Sequence, residues 1–386
     1  MNSNIFNNIR NLLFVLLGFV FPLSVAISTI LIVLVAILSL FEEEVILKLK
    51  TITSSKWMVS VLLLLFLYYV SPLFFGIFPD TSWVLERVSL LLILPILYCV
   101  SFSQKTINVS VFSFLSSMFL SSVIAIADNY EIIHFTKNWT WSAFLQYTEH
   151  NVFLSISLIF SFYALFRVKL RLLNRNIILV FVPIFLFSLF IEAGKAGQLV
   201  FLISIVLFFV IHFRNQWKRI VVAILSILIF SVFIYQSSPI VKKRFSHEFK
   251  SIINNEPSFR NNLFIYSVEL IKENPIIGYG AGSFTDVFKH LNKSTRRTVS
   301  YAHKTPHNNY LYVWLELGIV GLLILMFIFY FQIKELLQKK DALFRILFPF
   351  IYLTIMLADS YFFSHNTLIM YLFISVITIQ YQCKPS

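Results

Sequence analysis

The stretch PHNNYLYVWLELGIVGLL, residues 306–323, sets a proline, a histidine and two asparagines directly ahead of an apolar helix. Imidazole is the side chain whose ordinary pKa lies nearest neutrality, so His307 is suited to take a proton from an attacking hydroxyl. Pro306 fixes the backbone before it, and Asn308 or Asn309 can cap the helix that follows. An imidazole held this way is aimed. Glu316, about two turns deeper on the same helix, can orient a partner or tie helices together, and the spacing does not choose between these.

Basic residues are the natural companions of such a base. The stretch 237–307 carries eleven Lys and Arg against five Asp and Glu, a net +6. That charge fits attraction to anionic lipid headgroups, and it equally fits a site for an anionic substrate such as a lipid diphosphate. Within it, Leu263, Tyr266 and Leu270 share one helical face, and the pattern stops at Asn274-Pro275. The loop therefore holds an amphipathic helix. Arg260 lies in its first turn, where the helix dipole gives no reason for a cation. Lys195 and Glu192 fall in a short connection between two apolar segments, where ionisable groups are costly and tend to be functional. Lys195 is a candidate phosphate ligand, and Glu192 can simply pair with it. GYGAG, 278–282, lacks the strand and helix context of a nucleotide fingerprint and reads as a tight turn packing the loop onto the membrane domain. His150, in YTEHNVFL, mirrors His307 as a His-Asn pair at the start of an apolar helix. It reads as an interfacial helix cap or a candidate substrate contact, as do Tyr279, Tyr301 and Asn308 for contact. No acidic pair has metal-ligand spacing, so the residues point to transfer without a metal: Arg and Lys hold a diphosphate leaving group while His acts as base.

These residues need a scaffold, and composition says which kind. Of 386 residues 58% are hydrophobic and 13% charged, about half the charged fraction of a soluble domain. Runs long enough to cross about 30 Å of hydrocarbon follow one another without a sizeable polar domain. The chain reads as one all-α, polytopic integral membrane domain over 1–386. Expected membrane helices lie near 9–22, 24–41, 58–78, 86–102, 108–127, 151–167, 176–191, 198–213, 219–236, 308–331, 343–359 and 367–382, about twelve in all. The turn at FPLS can alternatively be a kink in one long helix. Arg10, Lys48, Lys50, Lys56, Lys105, the clusters RVKLR, RNQWKR and KELLQKK, and Lys384 fall on one side, which the positive-inside rule assigns to the cytoplasm. The loop 237–307 then lies on the other side, and at more than about 60 residues it escapes that rule. Trp139, Trp141, Tyr301 and Tyr310 near that face suit interfacial anchoring or stacking on sugar rings.

ENPIIGYGAGSF, 273–284, followed after a basic spacer by PHNNYLYVWLELGIVGLL, resembles the region shared by O-antigen ligases and O-antigen polymerases of the bacterial envelope. FPLS (21–24), YTEHNVFL (147–154) and GKAGQLVFL (194–202) extend the likeness in layout, while the specific motifs are confined to residues 260–321. The resemblance implies a multi-pass glycosyltransferase of the bacterial inner membrane with a periplasmic site. Its donor would be a glycan on undecaprenyl diphosphate and its acceptor a hydroxyl on the lipid A core. Membrane lipids surround it, and neither a cofactor nor nucleic acid is implied. By position His307 matches the family's essential histidine, Arg260 its basic residue in the long loop and Lys195 its basic residue in the short loop. Lys195 departs from the usual Arg there: it keeps the charge but loses the bidentate fork, which implies a looser diphosphate contact. A polymerase would use the same donor with a second glycan as acceptor. A transporter would need ionisable residues along a central path, and here the membrane interiors are almost free of charge.

Overall fold

The computed structural model describes residues 3–136, 141–168, 172–213, 216–237, 259–295 and 304–381. The expected loop positions Tyr301 and Trp139 lie outside these. The architecture is all-α and membrane-spanning, with a two-stranded hairpin pairing Trp141 with Gln146 as its β element. Helices are α1 (Ser3–Val20), α2 (Val25–Ser39), α3 (Glu43–Lys50), α4 (Lys56–Phe75), α5 (Thr81–Ser89), α6 (Ile93–Cys99), α7 (Gln104–Asn129), α8 (Tyr147–Arg167), α9 (Leu172–Ile191), α10 (Lys195–His212) and α11 (Trp217–Ser237). After 258 come α12 (Phe259–Glu273), α13 (Phe284–Thr295), α14 (Asn309–Leu336), α15 (Ala342–Arg345), α16 (Leu347–Ile355) and α17 (His365–Gln380).

In hydrocarbon each backbone N–H and C=O must be satisfied within the protein, which is why the spanning elements are helical. Serines start several of them: Ser55 and Ser103 accept hydrogen bonds from the N–H groups of Met58 and Thr106. A helix occupies each of the twelve segments read from the sequence, and seven helices among the described residues are long and apolar enough to cross a membrane. An eighth span results if α2 and α3, bent by 89°, count as one. The helices at 5–20, 342–355 and 365–380 are apolar but shorter. At FPLS the chain forms a turn between two helices that pack along each other, so the kinked-helix alternative does not hold.

α8 and α17 are enclosed by their neighbours, with Val152 to Phe160 and Thr367 to Thr378 buried throughout. Between them and α1 and α7 lies a stack of Phe14, Phe21, Phe114 and Phe373. Lipid tails give no hydrophobic drive for helices to pair, so close approach depends on small residues. A Cβ on Gly18 would stand 2.6 Å from the Ser110 carbonyl. Outward-facing Phe66, Phe74, Ile229 and Phe327 are exposed, as a lipid-facing surface requires.

α14 departs from helical geometry at Gly318, which has φ +67°. The segment 275–282 docks there: Tyr279 N–H donates to Leu315 O (2.9 Å), Gly280 N–H to Glu316 O (2.8 Å) and Ile319 N–H to Pro275 O (3.0 Å). The loop thus supplies partners for main-chain groups that the break removes from the helix ladder. The buried Glu316 side chain accepts from Gly282 N–H at 2.8 Å and lies beside Tyr68 and Tyr312. It ties the long loop to the membrane helices. The same turn meets α4 and α5 through Ala281 N–H to Ser71 Oγ (3.0 Å) and Thr81 Oγ1 to Ala281 O (2.8 Å).

At Gly318 an added Cβ would lie 2.0 Å from Ile276 O, whereas at Gly76, also at positive φ, it would meet nothing within 4 Å. Gly318→Ala should therefore lose about 2–4 kcal/mol from clash and left-handed strain together, and Gly76→Ala about 1 kcal/mol from strain alone. Thermal unfolding of both variants in detergent checks this, and equal losses would refute it.

Candidate active site

The site end of the bundle is built by the turns ahead of α5, α8, α10, α14 and α17. His307 itself has φ +54°, a left-handed conformation costing about 1–2 kcal/mol in a residue other than glycine. Its neighbours hold it there. Asn308 caps α14 by accepting from Leu311 N–H (3.0 Å), and its amide donates to Leu357 O (3.1 Å). Asn309 N–H donates to Met356 O (2.9 Å), and its side-chain oxygen accepts from Phe362 N–H (3.0 Å). The two asparagines clamp the start of α14 to the 356–363 turn, and that turn carries Asp359.

Asp359 Oδ1 lies 2.8 Å from His307 Nδ1 and also accepts Ser360 N–H at 2.7 Å. The carboxylate therefore holds the proton on Nδ1 and leaves the lone pair on Nε2. Both side chains remain partly accessible, 20% for His307 and 23% for Asp359. Burial pushes the Asp359 carboxyl up, but the His307 hydrogen bond and charge, the Ser360 N–H and the charge of Arg260 outweigh it and hold it below its ordinary value. Arg260, exposed in the first turn of α12, thus acts on the same carboxylate as His307.

The same turn continues to Ser364 and Asn366, which both donate to the buried Glu149 carboxylate, Asn366 at 2.7 Å. Next to Glu149, Asn151 donates to Gly194 O (3.0 Å) and Leu189 O (3.2 Å), and Ser155 donates to Gly197 O (2.7 Å). Added Cβ atoms on Gly194 and Gly197 would come within 2.6 and 2.4 Å of Asn151. Those glycines let the Lys195 turn sit directly on the start of α8. Lys195 begins α10 and is exposed. Glu192 is buried, accepting from Asn129 Nδ2 (2.8 Å) and Ser142 Oγ (2.7 Å). His150 is fully buried beneath the hairpin, with Nδ1 3.2 Å from Ser142 Oγ. This corrects the expectation of an interfacial imidazole: the hairpin, invisible in helical periodicity, covers it. The Tyr279 hydroxyl is tied to the end of α12 through Leu270 O and Glu273, and burial with the Glu273 charge raises its pKa to about 12.

Nearby, Asp80 pairs with Lys304 (2.8 Å) and accepts from Thr285 Oγ1 (2.6 Å), anchoring α13 and the approach to His307. Burial raises the Asp80 carboxyl, and the Lys304 and Thr285 contacts more than offset this. Among the described residues no group of three or more His, Cys, Asp or Glu could hold a metal ion.

The sequence reading missed Asp359 and Glu149. Asp359 is the sole acidic residue after Asp341, at the end of an apolar segment. That isolation at a membrane boundary is the signal that could have flagged it. Its pairing across 52 residues is not legible from spacing.

Asp80 and Asp359 both have carboxyl pKa values below the ordinary 3.8. Their contribution to stability is complete above that value and is lost as pH falls through the lowered ones. The unfolding temperature should drop below about pH 4, less steeply in Asp359→Asn. Parallel acid profiles for wild type and variant would refute this role for Asp359.

Residues 178–326 match the family described as O-antigen ligase. This window takes in Lys195, Arg260 and His307 and ends before Asp359. The chain is 30% identical over 259 residues to an O-antigen ligase of Salmonella typhimurium, covering 63% of this chain and 60% of that protein. It is also 27% identical over 184 residues to a putative polysaccharide ligase of Rickettsia conorii, covering 45% and 42%. A putative polysaccharide ligase of Rickettsia felis is 31% identical over 99 residues, 23% of each chain. The chain thus spans less than two thirds of the length of these relatives.

Proposed function

The chain belongs to the O-antigen ligase superfamily, and from that premise we propose that it is a metal-independent glycosyltransferase. It transfers a glycan from undecaprenyl diphosphate to a hydroxyl on the lipid A core. It works in the bacterial inner membrane, with the site facing the periplasm and the donor entering from the bilayer. The observation that carries this reading is the His307–Asp359 hydrogen bond at 2.8 Å on a partly accessible imidazole.

His307 Nε2 takes the proton of the acceptor hydroxyl as its oxygen attacks the sugar carbon bonded to the diphosphate. The carbon–oxygen bond to the diphosphate breaks, and the leaving group departs with the bonding electrons. Arg260 and Lys195 bind it and stabilise its growing charge. Asp359 keeps the imidazole in the needed tautomer and steadies the imidazolium, the part a carboxylate plays beside any catalytic histidine. The basic residues at the far end of the bundle support the orientation, since they belong on the cytoplasmic side.

Transfer should fall by about 10²–10⁴-fold in His307→Ala and measurably in Asp359→Asn, which favours the wrong tautomer. Purified protein, lipid-linked glycan and core acceptor provide the assay, and wild-type rates in His307→Ala would sink the mechanism. Arg260→Ala should lose more activity than Arg260→Lys, while Lys195→Arg should keep it. Full inhibition by a chelator, reversed by magnesium, would refute metal independence. In a deletion strain, bare core with polymer left on the carrier lipid is expected; core bearing one repeat unit would instead identify a polymerase.

A further inference from the structure

Two cavities adjoin at the end of the bundle opposite His307. The first, about 670 Å³, is polar and is lined by Lys48, Ser101, Glu335, Lys339, Lys340 and Arg345 among others. Four cations face one carboxylate in its wall, and Lys48 among them also pairs with Glu44 at 2.7 Å on the exposed surface. Glu335 is already engaged, accepting from Tyr98 OH at 2.7 Å. The second, about 470 Å³, is apolar and runs between α7, α8 and α9, with Val109, Phe112, Leu115, Phe160, Ala164 and Ile178 in its lining.

Arg345 and Tyr381 line both cavities. Arg345 is buried and fixed, with Nε donating to Lys340 O at 2.7 Å and its terminal nitrogens to the carbonyls of Thr378 and Tyr381. It is a post between the two spaces, not a mobile ligand. The polar cavity lies where α6, α14 and α17 end, and the apolar one reaches into the bundle along α7. Val109 and Leu173 at its edge are exposed on the lipid-facing side.

We propose that the two cavities together bind one anionic phospholipid, with its phosphate against Lys48, Lys339 and Lys340 and one acyl chain in the apolar cavity. Positive charge at the boundary recognises the phosphate, as basic pockets between membrane helices do on the cytoplasmic side. An adjoining apolar space of acyl-chain character distinguishes a lipid from a free anion. The site shares no residue with the transfer reaction proposed above.

Native mass spectrometry of the full chain in neutral detergent, titrated with phosphatidylglycerol, phosphatidylcholine or inorganic phosphate, tests this. Phosphatidylglycerol should be retained preferentially and should dissociate as salt is raised. Replacing Lys48, Lys339 and Lys340 together by Ala should weaken its binding by about a hundredfold, at roughly a factor of five per cation. The triple Arg variant should retain it, which separates lost charge from lost folding. Ala164→Trp, filling the apolar cavity, should weaken the lipid while leaving the lysines in place, and His307→Ala should bind it normally. Equal retention of the two lipids, an unaffected triple Ala variant, or displacement of the lipid by equimolar inorganic phosphate would overturn the proposal.

Discussion

The break in α14 at Gly318 is the constraint on which the rest of this molecule turns. Non-helical backbone at membrane depth is tolerated only where protein covers it, because each unsatisfied main-chain group in hydrocarbon costs several kcal/mol. Here the 275–282 segment supplies the cover, donating to Leu315 O and Glu316 O and accepting from Ile319 N–H. Removing the loop would leave a membrane helix with orphaned groups, and straightening the helix would leave the loop without a dock. The two elements are therefore stable only together, and their union sets where α12, with Arg260, and the start of α14, with His307, come to rest.

A second layer of polar contacts converts that placement into a site. Asn308 and Asn309 spend their amides on the 356–363 turn, and Glu149 binds the next residues of the same turn. Through Asn151 the network reaches the Lys195 turn, where two glycines admit it closely. Such groups are costly singly and stabilising when satisfied, so a connected network fixes one arrangement rather than several. The left-handed backbone of His307 is held within that arrangement, which supplies the contacts that offset its strain.

How much of this could be read from the residues differs from one to the next. Pro306-His307-Asn308-Asn309 announced a capped helix start and an aimed imidazole, and the cap is there. GYGAG announced a turn packed on the membrane domain, and its glycines meet Glu316, Phe75 and Thr81 at distances no side chain would allow. Glu316 itself gave no such clue, because a lone acid in an apolar helix has many partners open to it. His150 looked like the twin of His307, yet the short hairpin over residues 141–146 covers His150, while His307 stays partly accessible.

The sequence by itself determined the all-α membrane class, the segments that become helices, the sorting of basic residues to one end and the identity of the candidate base. These follow from hydropathy, period and local capping, which act over a few residues at a time. Only the tertiary structure decided that His307 faces Asp359, that the charge of Arg260 reaches that carboxylate, and that Glu316 fastens a loop. The two hydrogen-bonded pairings join residues 34 and 52 positions apart, and no local propensity encodes a contact between two segments until packing has brought their surfaces together.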